Sequence, residues 1–95
     1  MKNWPFQDPK NVAVFTNTFI VRDGHAITAV YHDDDDGAWQ FHCKHPESNA
    51  SKNAMIVSLQ EIVEIDPTIL ELDDLPYGWR AVRKSSDASW VREKT

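Results

Sequence analysis

The densest run of chemistry-bearing side chains in the 95-residue chain is His32-Asp33-Asp34-Asp35-Asp36-Gly37. Packed carboxylates at a turn can bind a hard cation through oxygen. Laid on the calcium-loop pattern, Gly37 takes the glycine position, and Asp34 and Asp36 fall on ligand positions. The first ligand would then be His32 and the closing glutamate would be Cys43, and neither side chain suits its place. The run therefore reads as a hydrophilic hairpin loop, in which Asp and Gly tolerate turn dihedrals. No stoichiometric metal is expected, and Asp34 and Asp36 are the candidate cation loop. The same residues carry the enzyme alternative, a small hydrolase or metal-dependent enzyme that uses His32 with Asp33–Asp36.

A second set comprises His25, His32, His42, Cys43 and His45. Zinc requires three or four converging N or S ligands. His42 and Cys43 are adjacent in a strand pattern and point to opposite faces, while His25 and His45 supply half a site and no second pair completes it. Cys43, on the apolar face of its strand, reads as a small hydrophobe rather than a nucleophile. A nucleophile elbow and a glycine-rich phosphate loop are both missing. A third set, Trp79, Arg80, Arg83, Trp90 and Arg92, offers either cation–π packing in the core or an interface hot spot.

Charge is distributed unevenly. The net charge is −5, which disfavours nucleic acid as a partner. From Glu61 to Asp74 there are six acids and no base; from Arg80 onward there are five bases and two acids. These segments either neutralise each other, or the acidic one docks a basic partner. The acids on a helical element, Glu61, Glu64, Glu71, Asp73 and Asp74, form the candidate contact set, with the Asp33–Asp36 loop as runner-up.

The elements that position these residues follow from periodicity. Pro5 and Pro9 give residues 1–10 the character of an extended arm, with Trp4 and Phe6 as anchors. Val12–Phe15, continuing through Thr18–Val21, is rich in β-branched and aromatic residues and predicts a strand. Asp23-Gly24 then predicts a hairpin turn. Ala26–His32 and Ala38–Lys44 predict two strands joined by Asp33–Gly37; a five-residue loop pairs His32 with Ala38. In that register Ile27, Ala29, Tyr31, Trp39, Phe41 and Cys43 share the core face, and His32 and His42 share the other. Met55–Val57 predicts a strand, and Ser58-Leu59-Gln60-Glu61 has the form of a capping box. Asp66-Pro67 is a second helix start. Trp79–Lys84 and Ser89–Arg92 predict a closing hairpin of open register. Strands first, helices next and a hairpin last predict an α+β domain. Its antiparallel sheet has five or six strands, with one or two short helices packed on one face.

The order His32–Phe41, then Val57-Ser58-Leu59 with Asp66-Pro67, then Leu75–Arg83 and a late Trp90 resembles a group of small bacterial proteins of unknown function. That group is similar in turn to bacterial immunity proteins, which bind and neutralise a toxin. The resemblance implies a bacterial source and a one-domain chain, and it supplies no functional residues. Length and an apolar fraction of 41 % support a single domain over 1–95. One cysteine, no signal-peptide core and no membrane-length apolar run place the chain in the cytoplasm. The expectation is a non-enzymatic, cofactor-free, immunity-like binding module for a basic protein partner.

Overall fold

Runs of only a few β-branched and aromatic residues, broken by Asn, Asp, Gly and Pro, dictate short elements. The computed structural model describes residues 4–95. The strands are β1 (Ala13–Asn17), β2 (Ala29–His32), β3 (Trp39–His42), β4 (Ala54–Ser58), β5 (Trp79–Val82) and β6 (Val91–Lys94). Two short helices, α1 (Thr18–Val21) and α2 (Leu59–Ile65), accompany 3₁₀ segments at Ser51–Asn53 and Pro67–Leu72. The architecture is α+β, with one six-stranded sheet in the order β4-β1-β3-β2-β5-β6. All neighbours are antiparallel except β1 and β3, which run parallel, so the sheet is mixed rather than purely antiparallel.

Two local expectations are corrected. Thr18–Val21 is helical, although its residues favour strands, because Asn17 ends β1 and caps the turn: its side-chain oxygen accepts the Ile20 N–H at 3.1 Å. Asp23-Gly24 consequently closes this helical turn instead of a hairpin. Gly24, at φ +74°, turns the chain so that the His25 N–H donates to the Phe19 carbonyl.

The second correction is the β2–β3 register. Asp33 is the last paired residue: its N–H donates to Ala38 O at 2.8 Å. Gly37, at φ +70°, closes a loop that is one residue shorter than expected. His32 therefore pairs with Trp39 and Val30 with Phe41. A one-residue slip inverts a strand. Val30 and His32 enter the core beside Trp39 and Phe41, while Ala29 and Tyr31 join Gln40 and His42 on the other face.

The core gathers on one face of the sheet. Val14, Val30, Trp39, Phe41 and Ala81 from the strands meet Ile20 of α1, Leu59 and Ile62 of α2, and Ile69 and Leu72 of the 3₁₀ segment. Ser58 caps α2 through the Glu61 N–H (3.1 Å), and Asp66 caps the 3₁₀ segment through the Thr68 N–H, as their sequence signatures predict. Phe6 is buried edge-on to Trp39, with ring centroids 5.5 Å apart, so the N-terminal arm is anchored there; its residues 1–3 lie outside the described residues. The opposite face has no helix over it and leaves Phe15, Ile56 and Val91 exposed.

Candidate binding site

His32 stands at the end of β2, where the arm, the sheet and the Asp73–Tyr77 turn meet. Its ring stacks on Trp39 at 3.8 Å and faces Tyr77 edge-on at 4.6 Å. The Nδ1 atom lies 2.7 Å from the Leu75 carbonyl oxygen. A carbonyl can only accept, so Nδ1 carries a proton, and in the neutral ring Nε2 presents a lone pair. That Nε2 is buried and has no partner among the described residues. Buried polar atoms are rarely left so. His32 is also part of the lining of a cavity of about 350 Å³, with Phe6, Asp8, Trp39, Asp73, Asp74 and Tyr77 around it.

The cleft is acidic at its rim and aromatic at its walls. Asp8 holds the Trp39 indole N–H through Oδ2 at 2.7 Å. Asp74 pairs with Arg92 at 2.7 Å, and Arg92 also donates to the Glu71 carbonyl. The ion pair holds the exposed Asp74 carboxyl below its ordinary range, chiefly through the Arg92 hydrogen bond. Asp73 is exposed and makes no side-chain hydrogen bond among the described residues. The aspartate loop abuts the same turn. A Cβ on Gly78 would meet the Asp34 side chain at 3.5 Å, and one on Gly37 would meet the Tyr77 ring at 3.5 Å. The aspartate loop thus packs on Tyr77 and Gly78, just past the end of the acidic stretch.

The other nominated residues are distributed as follows. Glu61 and Glu64 are exposed on α2, and Glu71 is exposed in the 3₁₀ segment; none of the three belongs to the cleft lining. Asp36 accepts the Ala38 N–H at 2.9 Å, a turn-forming contact. Among the described residues no three His, Cys, Asp or Glu side chains converge as metal ligands would. His25 and His45 do approach, with centroids 5.6 Å apart, but His45 stacks on Phe19 and its Nδ1 accepts the Glu47 N–H. Cys43 is half-buried near Asn17. No hydrogen bond joins His32 to the Asp33–Asp36 carboxylates among the described residues, so the acid–base pairing that the enzyme alternative requires is not formed there.

On the uncovered face, Gln40 donates to Asp33 Oδ2 at 2.7 Å and accepts from His42 Nε2 at 3.0 Å. Partial burial lowers the His42 pKa from the ordinary 6.5, opposed by the Asp33 charge. Of the aromatic and basic set, Arg83 is buried over the Trp90 ring at 4.0 Å, so it belongs to the core.

Sequence reasoning placed His32 outward and so missed the cleft. The signal that could have found it is Gly37: a left-handed glycine at the loop's end shortens the hairpin and flips β2. Comparison with protein-family models, curated proteins and solved structures returns no match. Among the described residues no helix is long and apolar enough to cross a membrane.

Proposed function

We propose that the chain is a small non-enzymatic binding module of the cytoplasm, immunity-like in that it docks a basic protein partner at its acidic end. One observation carries this reading: Asp8, Asp73 and Asp74 line a single cleft together with His32, whose Nε2 is buried and unpartnered among the described residues, and the aspartate loop packs beside that cleft at Tyr77 and Gly78. Negative charge concentrated at one end steers a basic partner and fades with salt, because the Debye length is about 8 Å at physiological ionic strength. Of the five nominated acids, Asp73 and Asp74 are at the cleft, and Glu61, Glu64 and Glu71 widen the negative surface.

The test is affinity capture at low and high salt, with the native chain and with a variant carrying amides at all five acids. The expected partner is basic, and its capture declines with salt and with the five substitutions. A specific partner whose capture ignores both would remove this surface from consideration.

A further inference from the structure

The cleft has a chemistry narrower than negative charge. His32 lines the cleft and is only 8 % exposed; its Nε2 is buried and unpartnered among the described residues, and because Nδ1 donates to Leu75 O, Nε2 is the acceptor of the neutral ring. Asp73 on the rim is an acceptor with no side-chain partner among the described residues, and Asp8 Oδ2 is the only Asp8 carboxylate oxygen engaged there. Phe6, Trp39 and Tyr77 supply aromatic walls, with one Trp39 face covered by the His32 ring. Acceptors in the lining and at the rim call for a ligand made of donors, and aromatic walls suit a flat, weakly hydrated cation. An anion would meet carboxylates on every approach.

We propose that the cleft receives one guanidinium group, the side chain of an arginine presented by the docking partner, with His32 Nε2 accepting one of its N–H groups. This rests on the docking reading above and names the group that reading leaves open. Guanidinium suits the site better than ammonium: it is planar, weakly hydrated and carries five donors in a fixed fork. The volume of about 350 Å³ takes a side-chain tip rather than a folded element. Nε2 is sealed from solvent, so the ligand reaches it only by moving a wall. Tyr77, 60 % exposed and edge-on to His32, is the wall this entry would displace. The molecule already shows the same recognition at its own rim, where Arg92 takes the Asp74 carboxylate and the Glu71 carbonyl.

The test uses the whole chain and three small probes: N-acetyl-arginine amide, N-acetyl-lysine amide and N-acetyl-citrulline amide, the last an uncharged near-isostere of the first. Imidazole and indole nitrogen signals are followed by NMR during titration. The expected result is saturable shifts at His32 and Trp39 with the arginine probe, about tenfold weaker binding of the lysine probe, and none of the citrulline probe; a lost hydrogen bond to a charged group is worth about tenfold or more. His32→Phe keeps the aromatic stack but removes the acceptor, and should weaken the arginine probe about tenfold. Should that variant fail to fold, the exposed Asp73→Asn change must weaken the same probe several-fold. No saturable shift at His32, equal binding of arginine and citrulline probes, or indifference to the variant that folds would each overturn the proposal. If the arginine probe fails while partner capture still responds to salt and the five amides, the docking reading stands and only this inference falls.

Discussion

Two buried polar groups in this molecule are treated in opposite ways. Every guanidinium nitrogen of Arg83 is engaged: Nε donates to Ile27 O, Nη1 to Thr68 Oγ1 and Ser86 O, and Nη2 to Asp66 at 2.6 Å, while Trp90 covers its face. His32 has one nitrogen satisfied and one empty-handed. A charge at the Arg83 position must be fully answered, because an unpaired buried ion costs several kcal/mol. A neutral imidazole nitrogen costs less to leave open, so the fold can hold it in reserve. Thr16 Oγ1, His42 Nδ1 and Trp90 Nε1 are left open too among the described residues, and what sets His32 apart is that it also lines a cleft with carboxylates around it.

The widest separation between the two regions should appear in stability. Asp66→Ala strands the Arg83 guanidinium and removes the cap on Thr68, so we expect a loss of about 3–5 kcal/mol, read from urea unfolding. His32→Phe leaves the Leu75 carbonyl without its donor but also removes an unsatisfied atom, so about 1 kcal/mol is expected by the same measurement. A His32 variant as damaging as Asp66→Ala would erase the distinction and make His32 another structural hub.

The smallest expected effect concerns His42 on the uncovered face. Burial depresses its folded-state pKa below the unfolded value near 6.5, with Asp33 acting the other way. The unfolded chain therefore takes up the proton first, and stability should fall as pH drops through 6.5 toward the lower folded-state value. His42→Gln should flatten that segment of the stability–pH curve. An unchanged slope would mean that other groups carry it.

What could be read from the sequence follows from how local each cause is. The caps at Ser58 and Asp66, the anchor Phe6 and the outward Gln40–His42 pattern of β3 each depend on a few neighbouring residues, and each appears where its signature stands, whereas the closing hairpin pairs Val82 with Val91 and so has a longer connection than Ser85–Ala88. α1 was hidden because the Asn17 cap outweighs the strand preference of Thr-Phe-Ile-Val. The parallel β1–β3 pair joins strands separated by α1 and β2, and no local pattern encodes it. The cleft was illegible for both reasons together. It needs His32 turned inward by one glycine and an acidic turn some forty residues away brought against the aspartate loop.

The outer strand β4 carries a further consequence. Its residues Ala-Met-Ile-Val-Ser hold no charge, and one side of its backbone ladder has no neighbouring strand among the described residues, whereas the other outer strand, β6, ends in Arg-Glu-Lys. Such a border is a template on which another chain can crystallise its own strand. Ile56, 65 % exposed and paired beside Phe15, adds a greasy margin to it. The net charge of −5 is then a colloidal guard as well as a recruiting signal. Acidification to the isoelectric point, near pH 5.2, removes that guard, so β4 is least protected there, and further acidification restores repulsion with the opposite sign.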